Sequence, residues 1–349
     1  MNQEKNNFPF VSIIIPCRNE KKYIGKCLDS IINQDYPKNR IEVLIVDGMS
    51  EDKTREIIRE YCKDNPFIIL LENPDKITPK GMNVGVRNSK GDIIVLPVNA
   101  HAILDKEFLK WNIFYLNEIK DADAVGGTLR TINENRGIIS QAIPLAADSF
   151  FGLGGKRYRN RQDEGFINDT TPYTAYRREV FGKIGYIDEG LIRDQDEELN
   201  YRLLKSGGKI YFSPKIKSQL YIRPTVSKLW KQHFQYGYWK VKVGQKVGFK
   251  MIKKQLVPAI FAGSLLFSLA FSPFSRLARI LFSLILGSYF LVALFFSLFI
   301  SLRKNLIYFV FLPIIYFILH FSYGIGFLKG LTNFNILKRD KIKDVSLTR

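Results

Sequence analysis

Apolar and polar positions fall into alternating blocks along the first hundred residues. Val11 to Ile15, "VSIII", is a β-branched run, and Tyr23, Ile24, Cys27, Leu28, Ile31 and Ile32 follow it at helical spacing. Ile41 to Val46 repeats the strand signal, "DGMSEDKT" turns the chain, and Ile57, Ile58 and Tyr61 mark a second helix. Phe67 to Leu71 reads as a third strand, after which Thr78 and Pro79 suit the N-cap and first turn of a third helix. A "KGD" turn leads into a fourth apolar strand at Ile93. Uninterrupted apolar strands separated by helices predict an α/β domain with a mostly parallel sheet and helices on both faces.

The pattern changes near residue 225. Leu256 to Phe271, Leu277 to Ile300 and Leu306 to Leu328 are long apolar runs. A spanning helix needs roughly 20 apolar residues, so the second and third runs qualify and the first is borderline. The chain therefore divides into a domain over 1–225, a basic amphipathic juxtamembrane segment over 226–255, a transmembrane region over 256–330 and a basic tail over 331–349. The tail "LKRDKIK", Leu337 to Lys343, argues for a cytoplasmic C-terminus and an even number of crossings. Two spans, with Leu256 to Phe271 lying in the interface or re-entering, are favoured over three.

Charge sharpens this division. The net charge of +19 resembles that of a nucleic-acid binder, but residues 1–200 hold 28 Lys and Arg against 31 Asp and Glu, while residues 201–349 hold 24 against 2. The excess sits beside the apolar runs. Eight lysines and no acid lie between Lys228 and Lys254, a collar suited to anionic lipid at about 1 kcal/mol per lysine. No recognition motif accompanies them, so membrane lipids are the expected partner and nucleic acid is not. "MNQEKNNFPF" has no apolar core of a signal peptide, which places the first domain, by expectation, on the cytoplasmic face of a multi-pass membrane protein. Cys17, Cys27 and Cys62 lack metal-ligand spacing and read as small fillers in a reducing compartment.

Ligands in such sheets bind beyond the C-terminal ends of the strands. Three polar groups fall there: "PCRNE" at Pro16 to Glu20, "DGMSEDKT" at Asp47 to Thr54, and Asn99 with His101. An Asp before Gly also forms turns by itself, so the convergence of three strand ends carries more than Asp47 alone.

These motifs, with "GMNVGVRNSKGDIIVLPVNAHA" and "DQDEELNYRL", resemble in order the motifs of family 2 glycosyltransferases with the GT-A (nucleotide-diphospho-sugar transferase) fold. "YTAYRREVF" followed by "GYIDEGLIRDQDEELNYRLLKSGGKIYFSP" is similar to the membrane-anchored succinoglycan-type branch. The resemblance covers roughly Phe10 to Pro214. It implies that Pro16, Glu20, Asp47, Asp52, Lys80, Asn83 and Asn99 bind the nucleotide-diphosphate sugar donor. It also implies that Asp196 is the base deprotonating the acceptor in an inverting transfer. Helix capping for Asp52 and Asp196, and plain solvation for Lys80, are the alternative readings. Leu199 and Leu203 would give the helix after Asp196 its buried side, and Glu198 with Arg202 an i,i+4 pair.

Two departures from the family pattern matter. Asn99-Ala100-His101 stands where the family carries Asp-x-Asp, whose carboxylates hold a divalent metal on the diphosphate. Imidazole suits transition metals and magnesium prefers anionic oxygens, so His101 with Asn99 favours Mn2+ over Mg2+ as the cofactor. With a weaker metal site the diphosphate or acceptor would lean on cations, and "GLGGKRYRNR" supplies Lys156, Arg157, Arg159 and Arg161, unless that segment is a solvated loop. Arg178, Gln195, which replaces the family's Glu, and Gln235 and Trp239 complete the expected acceptor or diphosphate contacts. Tyr238 replaces the Arg of the processive Gln-x-x-Arg-Trp pattern.

The resemblance thus implies addition of one sugar to a polyprenyl-linked glycan acceptor in cell-surface polysaccharide synthesis. A polyprenyl-phosphate sugar synthase, or a non-catalytic sugar-nucleotide-binding subunit of an assembly complex, remain the alternatives.

Overall fold

The computed structural model describes residues 8–153, 157–222 and 225–338. Lys156 and the tail from Arg339 lie outside the described residues, as does the side chain of Arg157. The chain forms two compact units, one reaching Ile132 and resuming over Arg157–Tyr221, the other made of Asn133–Lys156 and the chain from Ile222 onward. The segment 133–156, which the pattern leaves inside the first domain, thus belongs with the C-terminal helices.

In the first unit, β1 (Val11–Cys17), α1 (Ile24–Ile32), β2 (Ile41–Asp47), α2 (Thr54–Asp64), β3 (Ile68–Glu72), α3 (Thr78–Asn88) and β4 (Ile93–Leu96) follow the expected alternation. β1 continues through Pro16 to Cys17 in parallel register with Val46 and Asp47. α3 starts with Ile77 as N-cap rather than Thr78, whose side chain makes no capping bond, and Pro79 occupies the first turn. The chain goes on through β5 (Ala102–Leu104), α4 (Phe108–Glu118), β6 (Ala124–Asn133), α5 (Ile138–Asp148), α6 (Phe150–Leu153), α7 (Arg157–Asn160), β7 (Gly165–Ile167), β8 (Thr174–Arg177), α8 (Glu179–Ile184), α9 (Gln195–Lys205) and β9 (Ile210–Ile222).

Among the described residues nine strands form one sheet, ordered β3-β2-β1-β4-β8-β6-β9-β5, with β7 on β9. The sheet is mixed. Pairing is parallel from β3 to β4, as the pattern predicts, and antiparallel for β4 with β8, β6 with β8, β5 with β9 and β7 with β9. Every residue of β1 and β2 is buried because the two side-chain sets serve two cores. Ile13, Ile15, Val43 and Ile45 face α1 and α4, where Ile24, Leu28, Ile31 and Phe108 pack. Ile14, Leu44 and Ile94 face Met82 and Val86 of α3 and Leu199 and Leu203 of α9.

The second unit contains α5, α6, α10 (Val226–Val247), α11 (Val257–Phe271), α12 (Arg276–Arg303) and α13 (Tyr308–Leu331). Three helical stretches, Lys253–Phe271, Arg276–Arg303 and Tyr308–Ile336, are long and apolar enough to cross a membrane. The first run reaches this length because its helix begins three residues before the apolar stretch. Glycines let α10 and α13 approach closely. A Cβ on Gly237 would lie 2.0 Å from the Tyr323 carbonyl, and one on Gly326 2.0 Å from that of Phe234.

Candidate functional site

β1 lies between β2 and β4, so the chain winds one way from β1 through β3 and then returns to the other side of β1. Loops leaving β1 and β4 therefore diverge and open a crevice at the C-terminal strand ends. Glu20 follows β1 and His101 follows β4, and they meet across it: His101 Nδ1 lies 3.2 Å from Glu20 Oε1. Glu20 is 7% exposed, and its amide donates to Thr54 Oγ1 at 2.7 Å.

Asp47, at the end of β2, is fully buried. Its Oδ2 accepts from the Ser50 amide at 2.9 Å, its Oδ1 from the Ser50 hydroxyl, and Arg55 Nε stands 3.5 Å from Oδ2. Ser50 Oγ in turn accepts from the Asn19 amide at 2.8 Å. Asp47 thus ties the β1 and β2 loops together. Asp52 accepts from Thr54 and from the Lys21 amide at 3.3 Å. Burial opposes ionisation of Asp52, yet these hydrogen bonds hold its carboxyl below the usual carboxylate range. Pro16 is buried beneath α3, where a Cβ on Gly81 would contact it at 3.6 Å.

Lys80 is bound to Asp75 at 2.8 Å, and this hydrogen bond raises its pKa. Asn83 is 2% exposed, and its amide is fully engaged. Nδ2 donates to the Ile187 carbonyl at 2.9 Å and to Glu189 Oε1 at 2.8 Å, while Oδ1 accepts from the Ile187 amide at 3.0 Å. Asn83 therefore holds the loop that leads into α9.

Asp196 lies in the first turn of α9, half-buried. The expected pair on that helix is present, with Arg202 Nη2 2.8 Å from Glu198 Oε2. Gln195 is buried, with Nε2 3.9 Å from the Met82 sulfur. Asn200 of α9 donates to the Thr171 carbonyl at 3.3 Å, and Tyr173, two residues on, reaches the end of β4. Its hydroxyl accepts from Asn99 Nδ2 at 3.2 Å, and its pKa is raised first by burial and further by the Asp196 charge. Beneath this loop Cys27 Sγ donates to the Asn99 carbonyl at 3.6 Å, and burial raises its thiol to about 12.

The structure does not bring Arg178 to this crevice. β8 runs antiparallel to β4, so the residue after it emerges at the opposite strand end, where Arg178 bonds the Gly91 carbonyl at 2.6 Å and Ser89 Oγ at 3.1 Å. The guanidinium of Arg159 lies 6.0 Å from the Tyr158 ring centroid, and Arg161 pairs with Asp163 at 2.9 Å. Gln235 and Trp239 lie on α10 in the second unit, both buried.

Sequence reasoning missed several groups. Arg55 follows directly on the Asp47 to Thr54 motif, and Ser50 and Tyr173 lie inside quoted motifs with no role assigned to them. Asn19, Met49, Lys76, Tyr173 and Asp194 adopt left-handed backbone conformations with φ between 48° and 62°. Asn19 and Asp194 are of residue types that enter this region readily, whereas Met49, Lys76 and Tyr173 cost about 1–3 kcal/mol each, with no residue type to announce them.

Among the described residues no group of three or more His, Cys, Asp or Glu side chains forms a metal cage. The residues that could hold a cation are His101 and Asn99. Glu20 orients His101 through Nδ1, the carboxylate–histidine arrangement that usually supports a ligating imidazole. Nε2 would then be the donor to a transition metal, with the Asn99 amide oxygen beside it in sequence.

The family model described as "Glycosyl transferase family 2" matches residues 12–185. The chain is 33% identical over 337 residues to the Methanococcus voltae dolichyl N-acetyl-alpha-D-glucosaminyl phosphate 3-beta-D-2,3-diacetamido-2,3-dideoxy-beta-D-glucuronosyltransferase, covering 93% of this chain and 98% of that one. It is 28% identical over 236 residues to the succinoglycan biosynthesis protein ExoA of Rhizobium meliloti (strain 1021), covering 66% and 68%. In fold it resembles the mannosyltransferase PcManGT of Pyrobaculum calidifontis, solved with GDP-Man and Mn2+, at TM-score 0.63 and 18% identity over 94% of this chain and 88% of that one.

Proposed function

The chain belongs to glycosyl transferase family 2, and from that premise we propose that it adds a single sugar from a nucleotide-diphosphate donor to a polyprenyl-linked glycan at the cytoplasmic membrane. The observation that carries this reading is the position of Asp196 in the first turn of α9, a helix that Asn200 ties to the Thr171 carbonyl, two residues before the Tyr173 that bonds Asn99 at the end of β4. Asp196 takes the proton from the acceptor hydroxyl as its oxygen attacks the anomeric carbon opposite the diphosphate, inverting the configuration. Asp47, Asp52, Lys80 and the Glu20–His101 pair form the donor side. Asn83 and Gln195 act here by holding the α9 loop and the α9 terminus. A divalent cation bound at His101 would neutralise charge on the departing diphosphate.

A lipid-linked acceptor is supported by three helices long and apolar enough to cross the bilayer, and by a relative whose name specifies a dolichyl phosphate-linked sugar. We read the protein as multi-pass, with its first unit cytoplasmic. Tyr238 in place of the processive Arg supports transfer of one sugar rather than polymerisation.

The test is nucleotide diphosphate release by detergent-purified protein across UDP- and GDP-sugars with lipid extract, for the wild type and Asp196→Asn. Lipid-dependent release that falls by about 10²-fold or more in Asp196→Asn, with donor affinity kept, is expected. A single-sugar polyprenyl phosphate product would instead select the synthase reading. Donor binding without release would select the non-catalytic one.

A further inference from the structure

The segment between β6 and α7 has no place in the chemistry above, and its surroundings are unlike those of a soluble connection. Ala142, Ile143 and Ala146 of α5 are buried in one cluster with Ala293 of α12 and Leu312 and Ile315 of α13. The ring of Phe151, in α6, is 5.1 Å from those of Tyr316 and His320 and 5.5 Å from those of Tyr289 and Phe296. Polar groups at the α5–α6 junction are satisfied by the same two long helices. The Tyr316 hydroxyl donates to Ser149 Oγ at 2.9 Å, and His320 Nε2 donates to the Gly152 carbonyl at 2.7 Å while its Nδ1 accepts from the Tyr289 hydroxyl at 2.8 Å. Internal satisfaction of this kind is what a backbone break requires where water is absent.

The two ends of the segment are apolar and uncovered. Ile138, Ile139 and Phe150 are 44%, 41% and 75% exposed, and the Phe150 ring lies 6.2 Å from that of Phe296 on α12. Phe295 and Phe299 of α12 are exposed as well, so the uncovered end at Phe150 continues the apolar surface of a helix long enough to span. At about 1.5 Å per residue, the 11 residues of α5 reach about 16 Å, half the roughly 30 Å hydrocarbon layer. The chain also returns to the first unit at Arg157, so the segment must leave on the side where it enters. Its entry is polar, with Asn133 Nδ2 donating to the Ser140 carbonyl at 2.7 Å and Gln141 Nε2 to the Asn135 carbonyl at 2.5 Å.

We propose that Ile138–Leu153 is embedded in the bilayer without crossing it, with phospholipid acyl chains covering Ile138, Ile139 and Phe150. The inference rests on the reading that α12 and α13 span the membrane. It gives the chain a membrane-inserted element in the middle of the sequence of its first unit, beyond the three C-terminal helices.

The experiment places an environment-sensitive fluorophore on an added cysteine in the full chain, reconstituted in phosphatidylcholine vesicles. Cys17 and Cys27 are buried and Cys62 half-buried, so brief labelling of folded protein takes the added thiol, and labelling of the parent chain is subtracted. Phe150→Cys and Ile139→Cys are tested beside Leu291→Cys on α12, 70% exposed, and the surface position Lys183→Cys on α8. Labels at Phe150 and Ile139 should be quenched by acyl-chain nitroxides as strongly as the Leu291 label and spared by aqueous iodide, with Lys183 the reverse. Phe150 and Ile139 behaving like Lys183 while Leu291 stays lipid-quenched would overturn the embedding alone. Protection from both quenchers would mean a protein partner and overturn it equally. An aqueous Leu291 would remove the spanning reading and this inference with it.

Discussion

Replacing His101 by Asp gives the chain the second carboxylate of the family's Asp-x-Asp, and the structure argues that it should suffer for it. Glu20 Oε1 lies 3.2 Å from His101 Nδ1, and Glu20 is nearly buried. The Asp side chain is shorter than an imidazole, which leaves the two carboxylates about 5 Å apart, where an effective dielectric of about 20 gives a repulsion near 3 kcal/mol. The His101 side chain is 31% exposed, so solvent screening brings this to about 1–2 kcal/mol. For a unit of this size that corresponds to a fall in Tm of roughly 3–6 °C. The comparator is His101→Asn, which removes the imidazole without adding charge. Thermal unfolding of detergent-purified protein in EDTA should place His101→Asp below His101→Asn by that margin. Adding Glu20→Gln should close the gap, a coupling that a double-mutant cycle measures directly. Equal Tm values for the two variants in EDTA, or a gap that survives Glu20→Gln, would refute the cross-crevice pairing and the argument built on it.

Asn83→Ala leaves the buried amide and carbonyl of Ile187 unpaired and should cost about 2–3 kcal/mol in unfolding free energy; a loss below about 0.5 kcal/mol would contradict its role in holding the α9 loop. Gly127→Ala would put a Cβ 2.0 Å from the Ile216 carbonyl oxygen, so β6 and β9 must separate; a destabilisation of about 1–3 kcal/mol is expected, and a neutral result would place the two strands further apart than described. Because the folded pKa of Asp52 is depressed, its contribution to stability is present above the unfolded value near 4 and is lost as pH falls through the folded one; Asp52→Asn should flatten the acid limb of a Tm-against-pH curve there and leave the neutral limb parallel to that of the wild type. After EDTA treatment, Mn2+ should restore donor binding at lower concentration than Mg2+, since the orienting contact from Glu20 prepares a nitrogen donor; equal restoration by calorimetric titration would count against His101 as a ligand.

The half of the sheet that was legible is the half buried on both faces. Apart from the hydrogen-bonded Ser12 and Glu42 and the terminal Asp47, Val11–Cys17 and Ile41–Asp47 are apolar at successive positions because odd and even residues enter different cores, and such a run is visible without a partner. β5, β7 and β8 are three or four residues long and gain their identity from antiparallel neighbours far along the chain, so no local period marks them. β9 is long, yet "IYFSPKIKSQLYI" mixes lysines with apolar residues because it pairs with β5 and β7 and carries one partly exposed face. The membrane rule is silent at α5 for a related reason. A window of about 20 residues finds helices that cross, and an 11-residue helix held between two of them falls below it whatever covers its outer side.

The candidate site shows the same limit at the level of single groups. The strand-end rule located Glu20, Asp47 and His101, because the C-terminal ends of parallel strands follow from the apolar runs themselves. It assigned each of them outward, to a ligand, whereas much of their bonding capacity turns inward: Asp47 to Ser50, Asn83 to Ile187, Glu20 to His101. Partners 81 and 104 residues apart carry no shared spacing, and only the returning order of β1 and β4 and the approach of α3 to the α9 loop join them. Arg178 makes the converse point. Its sequence neighbourhood matches the family pattern, but the antiparallel direction of β8 carries it to the far strand ends, and direction is a property of pairing that an isolated strand does not possess. A residue type at a motif position therefore fixes which chemistry is available, while the side of the sheet on which it acts depends on strands that the motif does not contain.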